Sequence, residues 1–421
     1  MIIMAVAFTV VGFVREQQSD AVPDLSSGLY VIANQNNMAK SALVGQKIVF
    51  SEDDFKKNLN VSQISTVTVT KTPSSEEGAL CVGDVLVNEG QTVSAANLSL
   101  LNFRAANGDV RESSFKFKVN SFEYEMTCNL YFLKNENSAP TLLLEDERSF
   151  SVSTHQSVTV WGRVSAYDKD GDPVRYEVVT YAKNGTLRFD GETGDYSYTP
   201  TGTYFGEDSF EYVAVDKYGN YSTSRKVTLA VKERSTDVNF EDMVGHKSHH
   251  AALTMAEIGV MSGTNMSGKT YFMPDRAVSR VDFIVMLMDA LGYAPSANVT
   301  STGFTDDADI PPQFKGYVCA ARDRGLVLGT VNSKGEYLFE PSREITRSEA
   351  ALIVSKVVDA PVPTIKPTFA DKTDIPTWAR DAVYTLNSLG ILDDDGGFVS
   401  PNAPLTRASL AAMLCELLEY K

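Results

Sequence analysis

Two hydrophobic rhythms divide this chain. Between about residues 22 and 232, apolar and β-branched residues alternate with polar ones or cluster with aromatics. Examples are Ile64-Ser65-Thr66-Val67-Thr68-Val69-Thr70, Leu98-Ser99-Leu100-Leu101 running on to Phe103, and Phe115-Lys116-Phe117-Lys118-Val119, with Gly, Asn and Ser turns between them. A period of two predicts half-buried strands, and no helix of any length is signalled in 22–137. Around Glu233-Arg234-Ser235-Thr236 the texture changes to a spacing of three and four. Ile284, Leu287, Met288 and Leu291, then Ala350, Ile353, Val354 and Val357, then Leu410, Met413, Leu414 and Leu417 form stripes that predict helices with one face in a core.

Each half also repeats itself. Tyr196-Ser197-Tyr198 stands 95 residues after Leu101-Asn102-Phe103, and Ser209-Phe210-Glu211-Tyr212 stands 95 after Ser114-Phe115-Lys116-Phe117. Gly185-Thr186-Leu187 matches Gly78-Ala79-Leu80, with a longer insert in the first copy. A constant offset predicts two β-sandwich domains, 22–137 and 138–232, with Asn137-Ser138-Ala139-Pro140 as linker. The second carries Ala166-Tyr167-Asp168-Lys169-Asp170-Gly171-Asp172-Pro173, Asn184-Gly185-Thr186-Leu187, and Gly206-Glu207-Asp208-Ser209-Phe210-Glu211-Tyr212 leading to Asp216-Lys217-Tyr218-Gly219. On these residues it resembles the bacterial immunoglobulin-like (Ig-like) and cadherin-like modules of large surface proteins; the first domain keeps only the aromatic strand pattern. Asp168, Asp170 and Asp172 at alternate positions put hard oxygen ligands within reach of one cation, with Asp216 able to join them, which makes calcium a candidate. The same residues also read as turn chemistry between strands. Trp161 is expected in the sandwich core.

The helical half contains three similar blocks. They open at Phe240-Glu241-Asp242, Phe304-Thr305-Asp306 and Phe369-Ala370-Asp371, about 65 residues apart. Each continues through a helix ending in Gly (Gly259, Gly325, Gly390), a C-cap signal. A loop with an aromatic and a proline follows: Tyr271-Phe272-Met273-Pro274, Leu338-Phe339-Glu340-Pro341, Gly397-Phe398-Val399-Ser400-Pro401. The second helix then starts at Ser279-Arg280, Thr346-Arg347 or Thr406-Arg407. Thr346 with Glu349 is a capping box, and Ile345 just ahead can staple onto Ala350. The arginine is the odd choice, because a cation in the first turn sits at the positive end of the helix dipole. An acidic ligand would account for it.

This threefold pattern resembles the S-layer homology family over 240–295, 304–360 and 369–421. The resemblance implies an all-α, three-fold helical bundle with grooves between repeats, after two all-β sandwiches. It also implies non-covalent attachment of a bacterial surface protein to an acidic, often pyruvylated, secondary cell wall polysaccharide. Carried over by position, Arg280, Arg347 and Arg407 would face the polymer's carboxylates together with backbone amides of the same helix start, and Ser279, Thr346 and Thr406 would orient that turn. Replacing the three arginines by alanine is then expected to abolish binding and leave the thermal transition little altered. The competing reading is that these arginines only cover apolar surface or pair with a local acid. The aromatic ahead of each first helix would be Trp378 in the third block and Phe314, one place off, in the second; Lys247 stands there in the first. Ser409 replaces an acid in the third cap, and Asp393-Asp394-Asp395 follows its first helix. The second groove is therefore expected to be the tightest.

Composition narrows the field. At 421 residues two to four domains are expected, and a net charge of -16 excludes general affinity for nucleic acid or anionic membrane. The apolar opening, Met1 to Val14, with Ser19-Asp20-Ala21 after it, reads as a secretory signal over 1–21, truncated at its start, or else a short N-terminal anchor; no other stretch could cross a membrane. Cys81 and Cys128 either pair or stay free in an oxidising compartment, while Cys319 and Cys415 read as core. His246, His249 and His250 are expected on a solvated helix start, since adjacent histidines cannot share a helix face and no cysteine stands at a ligand spacing. No nucleophile elbow, phosphate loop or paired-histidine motif occurs, so an enzyme is not expected. The chain reads as an exported surface protein fastened by its helical module, with self-association into a surface layer left open. The alternative is an adhesin whose sandwiches bind an extracellular glycan or protein; a third is an enzyme with an unrecognised site in the first domain.

Overall fold

The structure, a computed structural model, describes residues 37–59, 63–142, 151–364 and 366–420. The leading segment 1–21 lies outside the described residues. The chain forms two compact units, Met1–Glu233 and Arg234–Lys421. Among the described residues no helix is long and apolar enough to cross a membrane.

The first sandwich runs β1 (Asn37–Leu43), β2 (Ile48–Val49), α1 (Glu52–Leu59), β3 (Thr66–Lys71), β4 (Gly78–Val82), β5 (Val85–Leu86), β6 (Thr92–Ser94), β7 (Leu101–Ala105), β8 (Glu112–Val119) and β9 (Met126–Leu133). One sheet has the order β1-β9-β8-β3-β6 and the other β2-β7-β4-β5, with β1 parallel to β9. Alternate residues of β8 and β9 point inward, so that Phe115, Phe117, Cys128 and Leu130 meet Phe103 and Leu80 of the facing sheet in one core.

Helix α1 corrects the expectation that this domain has no helix. Its start was written in the sequence: Ser51 and Asp54 satisfy one another's backbone amides, and Glu52, Asp53 and Asp54 suit the positive end of the helix dipole. The helix exists to bury Phe55, which meets Phe117 edge-on at 5.4 Å. The expected strand from Leu98 begins only at Leu101, because Ala95–Leu100 coil into a 3-10 turn that drops Leu98 into the core. Cys81 and Cys128 are both free and buried, one in each sheet, and burial pushes the Cys128 thiol well up.

The second sandwich comprises β10 (Thr141–Leu142), β11 (Ser151–His155), β12 (Val160–Arg163), β13 (Ala166–Tyr167), β14 (Val174–Thr180), β15 (Gly185–Phe189), β16 (Asp195–Pro200), β17 (Gly206–Asp216) and β18 (Arg225–Lys232). Its sheets, β11-β18-β17-β14 and β12-β16-β15, repeat the strand order of the first, again with a parallel opening pair. The aligned glycines show why the copies match in detail. A Cβ on Gly78 would fall 2.6 Å from the Phe103 ring, and one on Gly185 2.4 Å from the Tyr198 ring, so in each copy the bare backbone makes room for the equivalent aromatic. Trp161 is not core. It lies opposite Ser197 in the register, between the inward Tyr196 and Tyr198, and faces solvent.

The helical unit contains α2 (His249–Glu257), β19 (Thr264–Met266), β20 (Lys269–Tyr271), α3 (Arg280–Ala290), α4 (Pro312–Asp323), β21 (Thr330–Val331), β22 (Tyr337–Leu338), α5 (Arg347–Ser355), α6 (Arg380–Ser388) and α7 (Arg407–Tyr420). Two of its blocks carry a short hairpin between their helices, β19 with β20 and β21 with β22, so the unit is helical with β ornaments rather than all-α. Glycines 259, 325 and 390 take φ of 75°, 71° and 74° where each first helix ends, the left-handed C-cap that glycine adopts at least cost. The first helix of each block packs on the second helix of the preceding one: α4 on α3, α6 on α5, and α2 on α7. The last pairing closes the three blocks into a ring.

Candidate functional site

The ring is held at its centre by the residues just ahead of the arginine helices. Val278 donates its amide to Leu405 O (2.9 Å), Leu405 to Ile345 O (2.8 Å), and Ile345 to Val278 O (3.0 Å). All three side chains are buried, so Ile345, the staple position read from sequence, meets its counterparts Val278 and Leu405 at the centre of the unit. Beyond each, the cap forms as expected. Thr346 and Glu349 complete a capping box, Ser279 caps Asp282, and Thr406 caps Ser409.

The arginines that follow are largely buried in the interfaces between blocks: Arg280 is 6% and Arg347 9% exposed, and Arg407 is half-buried. Each turns its Nε to a carbonyl in the aromatic loop of the next block. Arg280 donates to Phe339 O (2.9 Å), Arg347 to Val399 O (2.8 Å) and Arg407 to Phe272 O (2.8 Å). These carbonyls are aimed by the aspartate of each block's opening motif. Asp242 accepts the amides of Phe272 and Met273, Asp306 those of Phe339 and Glu340, and Asp371 those of Val399 and Ser400, at 2.7 to 3.1 Å. That grip fixes a left-handed residue in each loop, Met273 (φ 60°), Glu340 (59°) and Ser400 (49°). The aspartates are functional positions that sequence reasoning quoted without a role; their recurrence two residues after Phe was the available signal.

The helix-start amides are not open to a ligand. The amides of Arg280 and Val281 donate to Arg343 O and Pro341 O, those of Arg347 and Ser348 to Ala403 O and Pro401 O, and those of Arg407 and Ala408 to Arg276 O and Pro274 O. This corrects the expectation that backbone amides share in anion binding. The neighbouring block has already taken the donors that a helix N-terminus ordinarily offers.

The three clefts differ in what claims the rest of the guanidinium. Arg280 faces Glu349 at 3.4 Å, and Glu349 is also clamped by Arg343 at 2.6 Å. Burial works to raise Glu349, but Arg343, the Thr346 amide and Arg280 outweigh it and hold the carboxyl below its usual range. Arg347 meets Asp393 at 3.0 Å and also its backbone carbonyl, and Lys247 bridges the same carboxylate at 3.1 Å. There too burial alone would raise Asp393, but Arg347 and Lys247 outweigh it and hold the carboxyl low. Lys247, which stands where an aromatic was expected, thus belongs to the second cleft. Arg407 donates to Ser262 O (2.7 Å), lies 4.7 Å from the Phe272 ring centre, and has no ion pair among the described residues. Burial and the adjacent Arg276 lower its pKa, with Asp282 and Asp242 opposing. Arg276 itself is exposed. The third cleft is therefore the one whose positive charge is least neutralised from within, whereas the sequence favoured the second.

Phe314 is half-buried on α4, and Trp378 is 54% exposed in a 3-10 turn ahead of α6. Among the described residues neither ring stacks on an arginine. His249 and His250 are buried at the start of α2, contrary to the expected solvated placement, while His246 is half-buried with its pKa lowered by burial.

Three of the four aspartates proposed for a cation converge. Ligand oxygens of Asp168, Asp172 and Asp216 lie within 4.8 Å of one another, while Asp170 accepts the Ser138 amide at 2.7 Å. Turn chemistry accounts for much of the cluster. Asp168 Oδ1 accepts the Asp170 and Asp172 amides, and Asp216 accepts from Tyr218, Asn220 and Asn137. One atom is left over: Asp168 Oδ2 is buried without a hydrogen-bond partner.

Comparison with known proteins follows the same division. Residues 303–351 and 368–411 match the S-layer homology domain, and residues 137–233 match the bacterial cadherin-like domain. The chain is 33% identical over 95 residues to an S-layer protein of Bacillus thuringiensis subsp. finitimus, which covers 22% of this chain and 11% of that protein. The same figures hold for S-layer protein sap of Bacillus anthracis. An amylopullulanase of Thermoanaerobacterium thermosulfurigenes is 24% identical over 189 residues, 44% of this chain and 10% of that protein. The chain spans about a tenth of the length of these relatives. Two of its three helical blocks are thus S-layer homology domains and its second sandwich is a bacterial cadherin-like domain, which places it at the bacterial cell surface. The first block, outside that match, has the same order of elements and the same arginine contact.

Proposed function

We propose that the helical ring anchors the chain non-covalently to an acidic, pyruvylated secondary polymer of the cell wall, and that the cleft of Arg407 and Arg276 takes the first carboxylate. S-layer homology domains bind cell wall polymers in general, and two relatives are named S-layer proteins, which supports the anchoring role. The carrying observation is the third cleft: a guanidinium stacked on Phe272 and engaged, among the described residues, by backbone carbonyls alone, beside an exposed second guanidinium. A planar fork with free N–H groups suits bidentate recognition of a carboxylate, and lysine would be a poor substitute. The other two clefts, partly neutralised by Glu349 and Asp393, add weaker contacts whose sum lengthens residence on a polymer. In the test, the full chain is sedimented with purified wall sacculi before and after extraction of the secondary polymer. Binding should vanish on extraction, and Arg276→Glu should weaken it severalfold; sedimentation indifferent to extraction sinks the anchoring role, and indifference to Arg276→Glu sinks the choice of cleft.

A calcium ion between the sandwiches' linker and the second sandwich is a separate proposal, carried by the buried, unpartnered Asp168 Oδ2. Asp168, Asp172 and Asp216 would supply hard oxygens of the kind calcium takes, and Lys217, 3.3 Å from Asp172, would swing away. Calcium should raise the melting temperature of the full chain, and Asp168→Asn should remove that increment. An equal melting temperature in calcium and in chelator would end this idea.

A further inference from the structure

The seam where α2 meets α7 is unlike the other two, because it joins the first and last blocks and no loop ties it. At this seam lie His250 near the start of α2, and Cys415 and Glu419 one turn apart on one face of α7. Their ligand atoms all fall within 4.8 Å of one another. His250 and Cys415 are buried, and Glu419 is exposed at the rim. Cys415 is not in a disulfide.

We infer that His250, Cys415 and Glu419 form a binding site for one divalent transition-metal ion, zinc by the softness of the donors, that bolts the ring shut. Thiolate, imidazole and carboxylate together form a zinc set and are ill suited to calcium or magnesium, which take oxygen alone. Zinc bonds of about 2.0 to 2.3 Å in a tetrahedron bring ligands roughly 3.3 to 3.8 Å apart, so a contraction of up to about 1.5 Å is needed. Glu419, the exposed member, can supply it by a change of rotamer. Water fills the fourth position, and Cys415 releases its thiol proton to solvent as the metal binds. The cysteine that sequence spacing could not supply to these histidines comes from the far end of the unit.

The test uses the full chain, stripped with chelator and titrated with zinc chloride. One equivalent should bind saturably, and at a hundredfold excess over the dissociation constant the transition of the helical unit should rise by about 5 to 10 °C. Cobalt(II) should give a thiolate-to-metal charge-transfer band that Cys415→Ser removes and Cys319→Ser leaves in place. Glu419→Gln, which keeps the side chain's shape at an exposed position, should weaken zinc by about tenfold or more. No saturable binding by the unaltered chain, or a cobalt band that survives Cys415→Ser, overturns the site.

Discussion

The second and third clefts are built alike and finish differently. In both, an arginine at the first turn of a helix hangs its Nε on a loop carbonyl of the next block and sends a second N–H to the backbone of the residue three places past a helix-ending glycine. That residue is Asp393 in one and Ser262 in the other. With Asp393 the carboxylate folds back on Arg347 and recruits Lys247; with Ser262 no acid among the described residues pairs with Arg407. One side chain thus decides whether a shared structural arginine is neutralised inside the fold or left to meet an anion from outside. The arginines are scaffold through Nε, and under the proposed function they are also, where no acid intervenes, charge for a ligand.

Arg347→Ala makes the largest break in this comparison. It removes a buried fork, leaves the Val399 carbonyl without its donor and leaves Asp393 to Lys247 alone, so the helical unit should lose about 2 kcal/mol, read as a lower midpoint in denaturant melts. This outcome would depart from the sequence-based expectation that replacing all three arginines together leaves the thermal transition little altered. Arg407→Ala strands no carboxylate and should cost about half as much; equal losses would mean that Asp393 adds nothing.

Acid should separate the clefts next. Asp393 and Glu349 have folded pKa values below their unfolded ones, so the stability they contribute is complete above the ordinary carboxylate range and is lost as pH falls through and below about 4. The helical unit should hold its melting temperature from pH 7 to about 5 and then decline, and Asp393→Asn should make the decline shallower. A profile unchanged by that substitution would show the pair to be idle. Smallest is the conversion of one cleft into the other. Asp393→Ser should free Arg347 and raise retention on sacculi by roughly twofold, the scale of one partly exposed ion pair.

The alternation of Phe115-Lys116-Phe117 and the glycine-ended helices made strands and helices legible, because each is a local pattern with one period. What escaped was set by partners distant in sequence or by short elements. Helix α1 is eight residues long, too short for periodicity to show, although Ser51 and Asp54 announced its start. Trp161 is expected in the core from sequence, but its register opposite Ser197 decides its face. The positions of Arg280, Arg347 and Arg407 were plain in the sequence, yet which carbonyls and acids would claim them depends on loops one block away. The second cleft was favoured for its complete capping box, but the box orders a helix start and says nothing of the charge beside it.

The closed triangle of Val278, Ile345 and Leu405 has a mechanical meaning. Linear repeat arrays fray from their ends, because a terminal repeat has one neighbour to lose. A ring of three has no terminal repeat, so a pull on the chain at Arg234 meets α2 clasped to α7 and cannot peel the blocks away in turn. A ring of this kind yields as a whole or not at all, a useful property if the unit anchors the chain as proposed.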